Sequence, residues 1–358
     1  MFGVVPAVLQ IAAIVTWSAL DGYRTALRTQ EHVLAADVGG AAAELSVRND
    51  RWNATAQIVA ASQVDGMFGR RKESIAFVKS VNAMSDLNLS VYIAYEPNAD
   101  GQDAQSLKSG EVPSDAMDAA GRFLPVWYDE FQAGVRTGQT KLKPSVGMES
   151  LDYYLVPKSE FAKSGKPAPV ITEPYVKEGQ TLVSHVFPIV IQGKFMGIAG
   201  VNQSLDVLTS IAGAIKKRSE ADVFILSPAG QFIAASTDAG KSGSDVLKNR
   251  AIAETPYNSL GSRWLSVTAG GDVDVFEVRD PVLGKQCLYA AEKTTTGGWT
   301  VVTRRVRAEV MADTDASMFR NIILGAVGIL LVGGLMFVVT RRVSGRVRVA
   351  AEAADRIA

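Results

Sequence analysis

Residues 152–206 read DYYLVPKSEFAKSGKPAPVITEPYVKEGQTLVSHVFPIVIQGKFMGIAGVNQSLD, and the fold prediction starts from this segment. Glycine-containing turns at 178–180 and 192–194 separate apolar runs that are rich in β-branched residues. Strand-forming runs punctuated by glycine turns predict an antiparallel meander. The three runs are 170–171, 181–191 and 195–201.

Three tyrosines and a lysine lie in and beside this meander: Tyr153, Tyr154, Tyr175 and Lys177. Small-ligand sites are lined mostly by apolar and aromatic side chains, with a few polar groups that fix the ligand. A sheet that presents such side chains next to its turns therefore predicts a small-ligand cup. Ordinary sheet packing, with the tyrosine hydroxyls at the surface, is the alternative for each tyrosine.

The composition limits the possible functions. The chain has 358 residues, 47% apolar and 21% charged, which predicts about two domains. Its formal net charge is zero, which argues against nucleic acid as a partner, because phosphate contacts need a basic surplus. Cys287 is its one cysteine, and His32 and His185 are its two histidines. The sequence lacks a hydrolase serine elbow and a zinc-protease HExxH motif, so no catalytic residue, metal or cofactor is predicted.

Two uncharged apolar segments, 2–20 and 322–339, are each long enough to cross a bilayer. A signal peptide is the alternative for the first segment, but it lacks the basic start that signal peptides have. Arginines without acids follow the second segment, which places that end in the cytoplasm. The sequence therefore predicts an inner-membrane protein with transmembrane helices at 1–20 and 320–340, and with residues 21–318 outside the cytoplasm.

Between the spans, the pattern predicts an α+β fold. A proline-free stretch with apolar residues at helical spacing predicts a stalk helix over 21–62, and 71–84 predicts a second helix. A membrane-distal module is expected over 63–217 and a membrane-proximal one over 218–310. In the distal module 100–118 is interpreted as a loop. In the proximal module strands are expected at 223–226, 231–236, 264–269, 273–279, 286–292 and 299–305, and a helix from Ala308 into the second span.

The sequence resembles the double Cache family of bacterial transmembrane sensors, most often chemoreceptors. The resemblance covers about residues 25–340 and rests on motifs that follow one another in order. They are GRFLPVW at 121–127, DYY with PK at 152–158, TEPY at 172–175, PIVIQGKFMGIAGV at 188–201 and GWTVV at 298–302. It implies two tandem PAS-like sheet modules, of which the distal module binds a small molecule and the proximal module relays the signal.

The resemblance also implies site residues. Tyr154 and Tyr175 match the tyrosines of amine-binding members, Tyr153 replaces a tryptophan, and Leu151 replaces an arginine. Lys177 and Asn202 stand where those members have carboxylates. An ammonium group needs carboxylates or aromatic faces around it, so these changes favour an anionic or polar neutral metabolite. A solvated turn lysine is the alternative for Lys177.

Three further residues have open interpretations in the sequence. Trp127 is a candidate ligand contact or a core residue. Arg122 is a candidate anion partner, or it pairs with Asp115 or Asp118. His185 faces either the pocket or the helix behind the sheet.

The predicted function is that of a ligand-binding receptor that is not itself an enzyme. Its signal is expected to pass through the second span into a HAMP linker, of which residues 341–358 are the first part. That linker usually has an early proline, which is absent here. The chain stops within a helix, so the output domain is expected beyond it. The predicted output is chemotaxis, and the alternative is a histidine kinase or diguanylate cyclase domain. A homodimer is expected, because the stalk and linker helices need partners for their apolar seams. A structural membrane anchor is the third possible function.

Overall fold

The computed structural model describes residues 4–85, 87–132, 135–238, 241 and 246–354. A long helix, α1 (Val4–Ser62), precedes two β-sheets that follow one another along the chain. The predicted α+β class, with a long N-terminal helix and tandem sheet modules, is confirmed.

Helix α1 is long because no proline interrupts it after its first turn, and because one stripe of its surface is buried. A wide turn, Gln63–Met67, ends it at Gly66, whose φ of 109° is open to glycine and strained for other residues. Helix α2 (Arg71–Ala83) follows. The members of the buried stripe are three, four or seven residues apart, as on one face of a helix: Leu34, Val38, Leu45, Trp52, Ala56 and Val59.

The first sheet has seven strands in the order β3-β2-β1-β7-β6-β4, with β5 also paired to β6. The predicted meander is its centre: β6 and β7 pair antiparallel along most of their length. Its strands and connecting helices are β1 (Ser90–Tyr95), α3 (Asp103–Ser109), β2 (Pro125–Gln132), β3 (Val135–Pro144), α4 (Asp152–Ser164), β4 (Val170–Ile171), β5 (Tyr175–Lys177), β6 (Gln180–Ile191) and β7 (Lys194–Ser204).

Alternation along β1 assigns its side chains to the two faces of this sheet. Val91 and Ile93, both fully buried, lie on the face that α1 and α2 cover. Tyr92 and Ala94 lie on the opposite face, in a core cluster with α4 residues. Because a strand alternates with period two, the register of β1 fixes which residues of its neighbours share each face.

The second sheet has the order β10-β11-β12-β8-β9. Helix α5 joins the two sheets, beginning at Ser204, whose hydroxyl accepts a hydrogen bond from the Asp206 N–H as an N-cap. The elements are α5 (Leu205–Ser219), β8 (Asp222–Leu226), β9 (Phe232–Ala235), α6 (Asn258–Leu265), β10 (Asp274–Arg279), β11 (Gln286–Lys293), β12 (Thr300–Val306), α7 (Arg307–Val310) and α8 (Ala312–Ala354).

The structure corrects three local predictions. Residues 264–269 are not a strand: Trp264 belongs to α6, where it shares a buried face with Leu260 four residues earlier. Helix α3 replaces part of the loop expected over 100–118, because Asp103 binds Arg71 and fixes this segment. The helix expected from Ala308 into the second span is interrupted at Met311.

By internal packing the chain divides into two units, 1–33 with 285–288 and 305–358, and 34–284 with 289–304. Both sheets lie largely in the second unit. Within the first, Thr314–Val343 has a mean hydropathy of 2.8 and is the single helix of the described residues that is long and apolar enough to cross a membrane. The span predicted at 1–20 stays a prediction, and its first three residues lie outside the described ranges, as do the last four residues of the predicted HAMP segment.

Candidate functional site

A row of hydrogen-bonded polar side chains crosses the first sheet on the face that carries Tyr92. Asn202 of β7 lies between Ser90 of β1 and Ser184 of β6. Its amide donates to Ser90 Oγ at 2.8 Å, and Ser184 Oγ donates to its Oδ1 at 2.5 Å. The Tyr175 hydroxyl lies 2.6 Å from Ser184 Oγ. The predicted site residues Tyr175 and Asn202 therefore belong to one polar row (Ser90, Asn202, Ser184 and Tyr175).

Helix α4 packs over the same face through the tyrosine pair. Tyr153 and Tyr154 are 2% and 4% exposed, at successive positions in its first turn. The Tyr153 ring stacks on Tyr175 with centroids 5.7 Å apart and meets Tyr92 edge-on at 5.8 Å. The Tyr154 hydroxyl donates to Glu96. Four tyrosines from three elements are thus brought together.

Lys177 joins this cluster at the end of β5. Its Nζ donates to Tyr153 Oη at 2.9 Å and to Ser145 Oγ at 3.0 Å, and it lies 4.8 Å from the Tyr153 ring centroid. Among the residues that the structure describes it has no carboxylate within ion-pair distance. Burial lowers the pKa of the Lys177 ammonium to about 8, against a smaller opposing effect of Glu178. Lys177 is therefore a largely buried cation that only neutral oxygens hold.

The tyrosines of the cluster are proton donors at neutral pH. Burial raises the pKa of Tyr153 to about 12 and raises the pKa values of Tyr175 and Tyr92 further. The Tyr92 hydroxyl is buried without a hydrogen-bond partner among the described residues. A buried donor of this kind is costly unless something accepts from it. The cluster therefore offers hydroxyl donors and a cation, which together suit an oxygen-rich anion.

Trp127 and His185 lie on the other face of the sheet. Trp127 is the cross-strand partner of Val91, and its indole donates to Ile75 O at 2.9 Å on α2. His185 is fully buried, with Nδ1 3.0 Å from Asn53 Oδ1 on α1. Burial lowers its pKa to about 3, so the ring is neutral. Strand alternation places Trp127 on the face opposite the tyrosines, and its role as a ligand contact stays a prediction.

Several members of the site were missed or left open in the sequence. Ser90, Ser184 and Ser145 are ordinary strand or turn residues, and only the register shows that they face the tyrosines. Tyr92 lies next to the small residue Gly200, and a Cβ there would come within 2.3 Å of its ring. The sequence could have indicated Tyr92 as a site residue, because it is a tyrosine that alternates with apolar residues in β1. Arg122 pairs with Glu149 rather than with Asp115 or Asp118.

Replacing Ser184 with alanine is expected to destabilise the chain by about 1–2 kcal/mol, because it leaves Asn202 Oδ1 and the Tyr175 hydroxyl without their shared partner in a buried site. Urea unfolding measures the change. Ser210→Ala is the matched control, since this serine is exposed and bonds only its own helix backbone. Equal losses in the two variants would show that the polar row contributes nothing to stability.

The second sheet places aromatic rings and a satisfied ion cluster at its core. Trp264 stacks on Phe224 with centroids 5.8 Å apart, and Tyr257 lies 5.5 Å from Trp264. Arg304 donates to Asp280, to Asp222 and to the Tyr257 hydroxyl, so each of its three nitrogens is bonded. In contrast to Lys177, Arg304 is neutralised by the carboxylates of Asp280, which is buried, and Asp222, which is partly buried.

The described residues contain no group of three His, Cys, Asp or Glu side chains that could hold a metal ion. The arrangement in the first sheet suits binding of a small molecule through hydroxyls and one ammonium group.

Solved structures of other proteins superpose on most of this chain, including both sheets. The extracellular domain assigned to histidine kinase mmHK1S-Z3 superposes with a TM-score of 0.66 at 23% identity, covering 82% of this chain and 98% of that one. The periplasmic sensory domain of the Campylobacter jejuni chemoreceptor Tlp1 gives a TM-score of 0.57 at 14% identity, covering 80% and 98%. The chain has the fold of a Cache sensor domain.

Sequence comparison supports the same Cache fold from another direction. The methyl-accepting chemotaxis protein TlpQ of Pseudomonas aeruginosa is 28% identical over 198 residues, which cover 50% of this chain. The chain spans about a quarter (26%) of the length of that relative. No protein-family model matches the chain. The expected likeness to Cache sensors is therefore confirmed. The assignment of the first and second sheets to a first and a second Cache module stays a prediction.

Proposed function

We propose that the chain is the sensing part of a bacterial membrane receptor that binds a small anionic or polar metabolite in its first Cache module. The similarity to a chemotaxis receptor and to receptor sensor domains supports the sensory role. No catalytic activity is part of this proposal.

The largely buried ammonium of Lys177 carries the proposal for the ligand class. A cation that is removed from water and held only by neutral oxygens gains most from an anion placed beside it. Tyr153, Tyr175 and Asn202 supply the surrounding donors and acceptors, and Tyr154 completes the aromatic wall. The second module, whose core cation is already paired, has the relay role.

The proposed topology has helices at 1–20 and 320–340 in the inner membrane, with the Cache modules outside the cytoplasm. Ligand binding stabilises one of two states of the outer part, and α8 carries a shift of about 1–2 Å through the membrane to the HAMP-like segment that starts at 341. Chemotaxis is the proposed output, through a homodimer. A histidine-kinase output is the second candidate, because solved domains with this fold are assigned to such kinases.

Ligand affinity is expected to fall as the pH rises above about 8, by roughly tenfold per pH unit, because the anion needs the protonated form of Lys177. Tyr153, with a pKa of about 12, stays protonated throughout this range. Isothermal titration of the full chain in detergent, with carboxylate and phosphate compounds at pH 7, 8, 9 and 10, measures the dependence. An affinity that stays constant to pH 10, or that rises, would contradict anion binding at Lys177.

A further inference from the structure

Arg122 is a second buried cation beside the tyrosine pair. It is 4% exposed, and its guanidinium carbon lies 5.9 Å from the centroid of the Tyr154 ring. Its Nε donates to the Tyr95 carbonyl, and its Nη1 pairs with Glu149. Its Nη2 is buried without a hydrogen-bond partner among the described residues. A charged donor in this state is strongly unfavourable unless an acceptor is supplied.

Glu149, the partner of Arg122, is poorly fixed by comparison. Its side chain is 58% exposed, whereas that of Arg122 is 5% exposed. It lies in a single helical turn, Met148–Ser150, between Ser145 and the tyrosine pair. An exposed carboxylate regains water when it leaves, so releasing it costs little, while the buried guanidinium has no such compensation.

Lys177 and Arg122 each contact one of two successive tyrosines of α4. Lys177 bonds the Tyr153 hydroxyl, and Arg122 lies over the Tyr154 ring. A third cation near this pair, Lys158, already has a carboxylate, since it donates to Glu96 at 2.7 Å. The cluster therefore holds two cationic positions that a buried carboxylate does not neutralise.

We propose that Arg122 is a second anion-binding group of the same site, that Glu149 competes with the ligand for it, and that the ligand carries two anionic groups, as a dicarboxylate or a phosphorylated carboxylate does. One anionic group binds Lys177 with Ser145, and the other replaces Glu149 on the Arg122 fork. The bidentate geometry of a guanidinium suits a carboxylate or phosphate. This inference rests on the proposed binding of an anion at Lys177.

Release of Glu149 also gives binding a mechanical consequence. The turn that carries Glu149 leads directly into α4, which begins at Asp152. Displacing the carboxylate frees this turn, while a ligand held between Arg122 and Lys177 ties the tyrosine pair to β5. A ligand with one anionic group satisfies only one cation and leaves the Glu149 contact in place.

The test is isothermal titration of the full chain in detergent with matched ligands. Butyrate, with one anionic group, is the monoanion. Malonate, succinate, glutarate and 3-phosphoglycerate each carry two anionic groups and are termed dianions for this comparison. At least one dianion is expected to bind ten times more tightly than butyrate. Glu149→Gln is expected to tighten dianion binding about tenfold, and Arg122→Gln to reduce the dianion preference to about one while butyrate affinity is retained.

The controls separate this inference from the proposed function. Glu160→Gln removes an exposed acid that pairs with Lys163 and is expected to leave every affinity unchanged. Equal affinity for monoanions and dianions in the wild-type chain, or weaker dianion binding in Glu149→Gln, would overturn the role of Arg122 alone. If no anion of the set binds the wild-type chain, the proposed function falls with it. Glu149→Gln keeps the test decisive if Arg122→Gln does not fold.

Discussion

Replacing Lys177 with methionine is expected to make the folded chain more stable and to weaken anion binding at least a hundredfold. Burial lowers the pKa of Lys177 from its usual 10.5 to about 8, which corresponds to a cost of about 3 kcal/mol at pH 7. Methionine fills a similar volume without the charge. Its partners, Tyr153 and Ser145, stay satisfied, because their hydroxyls already lie 3.0 Å apart.

The pH dependence of stability tests whether Lys177 destabilises the folded chain. At pH 7 Lys177 is protonated in both the folded and the unfolded chain, so the full cost is present. Between about pH 8 and 10.5 the folded chain binds fewer protons than the unfolded chain, and this group therefore adds stability as the pH rises. The Lys177→Met chain lacks this increase.

Thermal unfolding measures the gain at pH 7, where a stabilisation of about 1–3 kcal/mol raises the Tm by about 2–10 °C. Lys194→Met is the control, since that lysine is exposed at the first position of β7 and is expected to change neither Tm nor binding. A Lys177→Met chain that melts earlier than wild type would show that the ammonium group stabilises the fold. That result would contradict the cost assigned to this largely buried cation, which has no carboxylate partner among the described residues.

Replacing Arg304 with methionine is expected to destabilise the part of the chain that is built on the second sheet by about 3–5 kcal/mol. The change leaves Asp280, whose side chain is fully buried, and Asp222 without their shared cation. Burial opposes ionisation of Asp280, yet hydrogen bonds from Tyr289, the Leu283 N–H and Arg304 hold its pKa below the usual value. Without the guanidinium, the pKa of Asp280 is expected to rise, because one of the groups that stabilise its charged form is lost.

Urea unfolding of the full chain in detergent measures this loss. Lys163→Met is the matched control, because Lys163 pairs with Glu160 at an exposed position and such a pair contributes at most about 1 kcal/mol. Similar losses in the two variants would mean that the Arg304 cluster contributes no more to stability than a surface ion pair.

The sequence carried enough information for the main elements of the fold. The central meander was predictable because its β-branched runs and glycine turns specify strands locally. The long helix was predictable because its apolar stripe keeps one period without proline. Trp264 was assigned to a strand because a short apolar segment does not distinguish helix from strand; its helical partner Leu260 decides the matter in three dimensions.

The site was predictable in part. Tyr153, Tyr154, Tyr175 and Lys177 stand out by residue type, and the structure brings all four to one face. The side on which Trp127 lies depends on the register of β2 against β1, which a single sequence does not specify.

Contacts between side chains that are far apart in the sequence could not be predicted, for a related reason. Arg122 meets Glu149, which is 27 residues away, because β2 and β3 fold back on one another between them. The serines of the polar row have no distinctive pattern of their own, since any strand or turn accepts serine. Such contacts depend on tertiary pairing rather than on local propensity.

The central claim, that the first Cache module binds an anion at Lys177, is tested most directly by a thermal-shift panel at pH 7. The panel contains carboxylates, phosphorylated acids, amines and amino acids, and it is applied to the wild-type and Lys177→Met chains in parallel. The account predicts that at least one acid raises the Tm of the wild-type chain by 2 °C or more, that the same acid leaves Lys177→Met unchanged, and that amines shift neither chain. Stabilisation by amines, or an equal response of both chains to the acids, would contradict it.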